Sequence, residues 1–147
     1  IYNGLPATDR RKTMIFPTQV SKKFSYVTGT GNLQVSSNLI YIRLAELYLT
    51  LAESQMMQGN ATDALAAYNK IRQRAFKNNY VAETSTVGLL EKIQNERRIE
   101  LLFEGDRYLN LRRMQKPLRK GGPEVYRQFL FKIPQEEISA NPDIRQN

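Results

Sequence analysis

The hydrophobic pattern changes character near residue 39. Upstream, Gly4, Pro6, Pro17, Gly29 and Gly31 punctuate an irregular stretch, in which KKFSYVT around Phe24 has strand composition. From Leu39 onward, apolar residues recur at helical spacing. At about 100° per residue, Leu44, Leu47, Tyr48, Leu51, Ala52 and Met56 share one wide arc. Ile42, Ala45 and Leu49 extend it beyond half the circumference, leaving Arg43, Glu46, Thr50 and Glu53 as a narrow polar stripe. A helix this apolar needs neighbours on more than one side. Gly59 is suited to stop it, and Asn60, with Asp63 at the N3 position, to cap the next. The second helix carries Ala64, Leu65, Tyr68, Ile71 and Ala75 on one face. So short a turn predicts an antiparallel helical hairpin.

The spacing is that of a tetratricopeptide repeat: Tyr48, Leu51-Ala52, Gly59, Ala64 and Tyr68 fall at its aromatic, small and turn positions. Gln55 and Ile71 depart from that pattern. One such repeat cannot bury both its faces, so further partners are expected within this chain or beyond it. Next comes a polar connector, KNNYVAETS (77–85), and Thr86 is placed to cap a third helix running to about Glu104. Gly105 interrupts; Tyr108, Leu109, Leu111 and Met114 predict a fourth helix ending before Pro117. KGGP (120–123) is a loop, and Val125–Ile133 alternates in part, as an edge strand or extended segment does. Pro134 at a first helical position, followed by Glu136 and Glu137, predicts a last short helix, after which Asn141-Pro142 turns the tail outward. The fold class is therefore mainly α, with irregular or short β segments in the N-terminal part and near 125–133. The expected organisation is an irregular/β lead-in (1–38), a tetratricopeptide-like hairpin (39–76), a charged helix pair (86–116) and an extended C-terminal segment (117–147).

The third helix, within QNERRIELLFEGDRYLNLRR (94–113), poses the chemical question. Its wheel sets Leu89, Leu90, Ile93 and Leu101 on one side and puts Glu96, Glu100 and Glu104 inside that arc; Glu91, Gln94, Asn95 and Arg98 face solvent. Carboxylates aimed at a core must be paired or protonated, because an isolated buried charge is prohibitively costly. Arginine suits the task, since its planar fork meets a carboxylate bidentately. Arg97, Arg107, Arg112 and Arg113 lie nearby, and Arg43, Arg72 and Arg74 are on the hairpin. The expected structural charge network is Arg43, Glu46, Glu53, Arg72, Arg74, Glu96, Arg97, Glu100, Glu104 and Arg107. The competing reading is a carboxylate enzyme or metal site. A di-iron bundle wants Glu-x-x-His motifs and a glycosidase wants two carboxylates across an open cleft. Glutamates interleaved with arginines on a packed helix suit neither.

Composition narrows this further. The 147 residues contain no His, which removes the commonest general base and metal ligand, and no Cys, which removes disulfides and thiolate sites. No G-x-S-x-G, P-loop or G-x-G-x-x-G motif occurs, so no catalytic residue, metal or cofactor is expected. The net charge of +8 permits an anionic partner, but the basic residues mix with carboxylates and sit in apolar helix patterns, so nucleic acid is not expected. No signal-peptide pattern or long apolar run is present, and the chain begins at Ile1. It reads as soluble and as an excised piece of a longer protein.

The runs YIRLAELYLTLAESQMMQGNATDALAAYNKIRQRA, LLEKIQNERRIELLFEGDRYLNLRR and FKIPQEEISANPDIRQN together resemble the C-terminal region of the SusD/RagB family. The resemblance rests on R-L-A-E (Arg43–Glu46), N-x-[IV]-R-x-R-A (Asn69–Ala75), E-R-x-x-E-L-x-x-E-G-x-R (Glu96–Arg107), I-P-x-x-E (Ile133–Glu137) and the Asn141–Asn147 tail. Asp9-Arg10-Arg11 resembles the D-x-R that precedes this region, so the likeness covers nearly all of residues 9–147. Asn110, where Asp is expected, and Met114-Gln115, where Trp is common, depart from the pattern. The resemblance implies a glycan-binding lipoprotein of Bacteroidetes-type outer membranes, held at the extracellular face by a lipid anchor outside this stretch. It implies two partners: an oligosaccharide bound mainly by upstream residues, and a SusC-like TonB-dependent transporter that imports it. Such proteins bind without cleaving, and relatives handle peptides. Tyr2, Tyr26, Tyr80 and Tyr126 lie in loop-like segments and are the candidate exposed aromatic platforms. The alternative is a tetratricopeptide-type interaction scaffold binding an acidic partner, which predicts tandem repeats where one is found.

Overall fold

A computed structural model describes residues 4–14, 26–27, 33–34, 41–117, 132–141 and 143–145. In chain order the elements are a 3-10 turn (Arg10–Met14), strands β1 (Tyr26–Val27) and β2 (Leu33–Gln34), helices α1 (Leu44–Met57) and α2 (Ala61–Phe76), and a second 3-10 turn (Lys77–Asn79). Helices α3 (Leu89–Glu100), α4 (Asp106–Arg113) and α5 (Gln135–Ala140) follow. The strands form a minimal antiparallel ladder, Tyr26 opposite Gln34 and Val27 opposite Leu33. The chain is mainly α, as the spacing predicts. It divides into two units, Ile1–Phe103 and Glu104–Asn147.

In the first unit, the α1–α2 hairpin is made by its turn. Gly59 sits at φ +83°, a left-handed conformation that costs an L side chain energy. There Gly59 N–H donates to the Met56 carbonyl (3.1 Å) and Asn60 N–H to the Gln55 carbonyl (2.9 Å). This pair of bonds is a Schellman closure, which satisfies carbonyls the ending helix leaves open. Asn60 takes the N-cap position of α2, but its side chain does not cap; its amide donates to Gln55 Oε1 (2.8 Å).

Two apolar clusters hold the helices. One joins Ala52, Ala64, Ala67, Tyr68, Leu89 and Ile93; the other joins Ala45, Leu49 and Ile71, with Tyr48 packed against both. Alanines at the crossings let α2 and α3 approach α1 closely. For that reason the contact stripe of α1 is Ala45–Leu49–Ala52, all within 6 % exposure. Leu44, Leu47 and Leu51, expected on the packed arc, are 66, 53 and 46 % exposed. The wheel located the apolar residues; the small ones decided where a neighbour fits.

The third helix is shorter at both ends than its spacing predicts. It starts after Gly88, at φ +64°, with the Thr86 carbonyl accepting from Leu89 N–H (3.2 Å). It stops at Glu100 because Phe103 (φ +67°) and Gly105 (φ +79°) turn the backbone into left-handed conformations. Glu104 consequently lies past the helix end and is half-buried. Gln94, expected at the solvent, is buried. The connector before α3 is pinned: Asn69 Nδ2 donates to the Glu83 carbonyl (2.8 Å), and Glu83 N–H donates to Asn69 Oδ1 (3.0 Å).

In the second unit, α4 buries Asn110 and Leu111, and Arg113 Nη2 donates to Asn110 Oδ1 (2.6 Å). It ends in a second Schellman closure at Gln115 (φ +54°), with Lys116 N–H on the Leu111 carbonyl (2.9 Å) just before Pro117. Pro134 is the N-cap of α5, one place earlier than expected. Past it, Asp143 N–H donates to Asn141 Oδ1 (3.1 Å), a local turn. Most of the segment expected to be extended, Val125–Phe131, lies outside the described residues.

Candidate functional site

The densest chemistry in the first unit is a buried cluster in which three carboxylates meet three arginines. Asp9, Glu96 and Glu100 are 1, 4 and 3 % exposed. Among the described residues their partners include Arg11, Arg43 and Arg74, the last with its side chain about half exposed.

Arg11 is placed by a local device. Asp9 Oδ1 accepts the Arg11 backbone N–H (2.9 Å), opening the Arg10–Met14 turn, and Arg11 Nε returns to the same oxygen (3.0 Å). Arg11 Nη2 reaches Asp9 Oδ2 (2.7 Å), which completes a fork-to-fork pair. The remaining nitrogen, Nη1, donates to Glu96 Oε1 (2.5 Å) and Glu100 Oε2 (3.1 Å), tying the turn to α3. Burial opposes the Arg11 charge, but the hydrogen bond to Asp9 and the fields of Glu96 and Asp9 outweigh it, and the guanidinium pKa is raised.

Glu100 is the hub. Its Oε1 accepts from Arg43 Nη1 (2.6 Å) and Arg74 Nη2, while Arg43 Nη2 also binds the Glu100 backbone carbonyl. A carboxylate on the last residue of a helix opposes the helix dipole, whose C-terminal end is already negative. Arg43 offsets both charges at once, from its place at the N-cap of α1. Glu100 is desolvated by burial, which alone would raise its pKa; the hydrogen bonds from Arg43 and Arg74 prevail and the pKa is lowered.

This depression sets a pH dependence. A carboxyl with a folded pKa below its ordinary 4.5 stabilises the fold above that value and loses the contribution as pH falls through the folded pKa. Resistance to urea should therefore hold from neutral pH to about 4.5 and fall steeply below it, with a flatter acid limb in Glu100→Gln. Superimposable acid limbs would show that Glu100 does not carry the effect.

The other residues expected in the network are distributed more widely. Arg97 is buried and its guanidinium reaches Thr50 Oγ1 (3.2 Å) and, weakly, Glu46 Oε1 (3.5 Å) on α1. Arg72 lies over the rings of Phe76 (4.9 Å) and Tyr68 (5.7 Å) and donates to Tyr68 Oη at 3.4 Å; aromatic faces, not carboxylates, receive it. Burial and the nearby Glu96 charge raise the Tyr68 pKa. Glu53 is half-buried on α1, and Arg107 is exposed on α4. Asp9 and Arg11 are the members that helix periodicity could not supply; the D-x-R motif was their only signal. Of the candidate platforms, Tyr80 is half-buried beside the Lys77–Asn79 turn, while Tyr2, Tyr126 and the Tyr26 side chain lie outside the described residues.

Chemically, the cluster suits bracing and not proton transfer. A general acid needs a raised pKa and an open approach. Glu100 has the opposite shift, and arginines occupy both its oxygens. Among the described residues no group of three or more His, Cys, Asp or Glu is placed to hold a metal ion. Likewise, among them no helix is long and apolar enough to cross a membrane.

Comparison with known proteins agrees with this architecture. A SusD superfamily protein of Bacteroides fragilis superposes with a TM-score of 0.77 over 99 % of this chain and 38 % of its own length, at 24 % identity. SusD-like protein P2 of Formosa agariphila is 26 % identical in an alignment 147 positions long, which covers 87 % of this chain and 29 % of the relative. The chain thus spans well under half the length of either. The profile of the SusD family matches residues 3–127, most of the sequence, and on that match the chain belongs to the SusD family.

Proposed function

We propose that these 147 residues brace the C-terminal part of a cell-surface protein that captures an oligosaccharide and delivers it to a SusC-like TonB-dependent transporter. The observation that carries this reading is the family match over residues 3–127. In it, the protein is anchored by lipid at the outer face of the outer membrane and binds glycan without cleaving it. The hairpin (39–76) and charged helix pair (86–116) supply rigidity, and ligand contact falls mainly on upstream residues. The buried carboxylates support a bracing role, since arginines from the 9–11 segment, α1 and α2 hold them. Of the four candidate platforms, Tyr80 is the one whose side chain is described: half-buried, on a pinned connector.

The test is affinity electrophoresis of the purified full-length protein through gels containing individual polysaccharides, followed by chromatography of each glycan. Retardation by at least one glycan with its chain length unchanged is the expected result. Shortened glycan would establish an enzyme. Retention by peptides alone would move the substrate class.

A further inference from the structure

We propose that Arg10, Lys70, Arg74 and Lys77 form a cationic surface of the first unit that takes an acidic polysaccharide, one bearing carboxylates or sulfates along its chain. The proposal rests on the reading of the protein as a glycan-capturing one. Lys70, Gln73, Arg74 and Lys77 stand at i, i+3, i+4 and i+7, one exposed stripe that ends at the C-cap of α2. The Arg10–Met14 turn packs against α2 and brings the exposed Arg10 to the same helix. Arg11, next in the chain, shares the Glu100 carboxylate with Arg74, which sets the turn at that level of α2. Among the described residues no carboxylate pairs with Arg10, Lys70 or Lys77, and Arg74 keeps 54 % of its side chain exposed while it holds Glu100. Asp63, on the same stripe, lies about 10 Å before Lys70 along the helix. The attraction of cations to a helix C-terminus accounts for Arg74 and Lys77 alone; Lys70 lies beyond the last turn and Arg10 is on another element.

Lys77 is held against its own preference. Its φ of +46° and ψ of −117° mirror an extended conformation, a region that glycine enters freely and an L side chain only at a cost. Glycine would suit this backbone better, and what lysine adds is its ammonium. The Lys77 carbonyl accepts Tyr80 N–H (3.0 Å), which sets a half-buried aromatic beside the cations. Cations for acid groups, the Gln73 amide for hydroxyls and a ring for the apolar face of a sugar are the set an acidic glycan needs. Lys70 and Lys77 are about 10 Å apart along the helix, the span of a disaccharide, so they can meet acid groups on alternate sugars. No large apolar side chain of α2 is exposed. The surface therefore lacks both the apolar face of a membrane-binding helix and the apolar centre of a protein interface.

The test is titration calorimetry of the full-length protein with polygalacturonate, dextran sulfate, fully methyl-esterified polygalacturonate and dextran. At least one acidic polymer should bind, more weakly as salt rises, and better than its uncharged counterpart. The variant Arg10→Gln/Lys70→Gln/Lys77→Gly should lose affinity for it by on the order of tenfold. Its Tm should stay at or above that of the parent, because glycine relieves position 77, so unfolding cannot explain the loss. Arg98→Gln/Arg112→Gln/Lys116→Gln removes the same charge at exposed positions elsewhere and should bind as the parent does. Equal losses in the two variants would mean that net charge alone is felt, and would overturn the proposal. Binding of the neutral polymers as well as the acidic ones, unchanged in the first variant, would also overturn it while leaving glycan capture in place. Binding of no glycan at all would remove that reading with it. Binding only to phosphatidylglycerol vesicles would overturn the proposal in favour of a membrane surface. Should the triple variant fail to fold, Lys77→Gly alone is used: weaker binding at a higher Tm supports the proposal, and undiminished binding overturns it.

Discussion

Arg11→Met is expected to destabilise the first unit by roughly 3–5 kcal/mol, because removing one partner of a buried ion pair leaves uncompensated charge behind. Arg11 carries every side-chain hydrogen bond recorded to Asp9 and to Glu96 among the described residues, and those carboxylates are 1 and 4 % exposed. Methionine keeps most of the side-chain length and removes the fork. Glu100 keeps Arg43 and Arg74, so the loss concentrates on the link between residues 9–11 and α3. The measurement is native-state hydrogen exchange, in which amides of the Arg10–Met14 turn and of α3 should lose protection first. A cycle with Glu96→Gln then isolates the pair: for groups in contact, the double variant should depart from additivity by about 0.5–3 kcal/mol. Additivity within about 0.5 kcal/mol would mean that Arg11 and Glu96 do not work as a pair.

That experiment also marks the limit of what helix periodicity reveals. The hairpin was legible because its determinants are local: a glycine that tolerates positive φ, a turn too short for anything but reversal, and apolar spacing near 3.6. Burial of Glu96 and Glu100 was legible too, since both fall within an apolar arc. Their partners were legible only in part. Arg43 and Arg74 could be nominated because they lie on the hairpin, but the choice of Arg11, 85 residues before Glu96, depends on where an irregular segment returns. Arg72 shows the converse. It carries the same side chain two positions before Arg74, and the turn of the helix directs it to the Tyr68 and Phe76 rings. The end of α3 was hidden for a different reason. Phe103 occupies a left-handed conformation that its residue type does not announce, so the four-residue spacing of glutamates ran on past the real helix terminus.

The contact face of α1 was the least legible feature, and Leu49→Ala tests its revised placement. Leu49 is fully buried against Ala45, Ile71 and Tyr48, so truncation should cost about 2–5 kcal/mol through lost transfer energy and the cavity that remains. The spread reflects how far the site can collapse. Ala45 and Ala52 offer no side chain long enough to fill the gap, which favours the upper half of the range. Ile71→Val, across the same contact, removes one methylene and should cost about 0.5–1.5 kcal/mol. Leu49→Met conserves volume and should stay under about 1.5 kcal/mol, which separates loss of packing from damage to the helix. Met57, on the same helix and 73 % exposed, provides the opposite control. Its change to Ala should fall within about 0.5 kcal/mol. Opening free energies of α1 and α2 amides in the full-length protein give all four numbers in one kind of measurement. A small cost for Leu49→Ala beside a large one for Met57→Ala would place the buried stripe elsewhere on α1. The packing of α2 and α3 would then have to rotate about that helix to meet it.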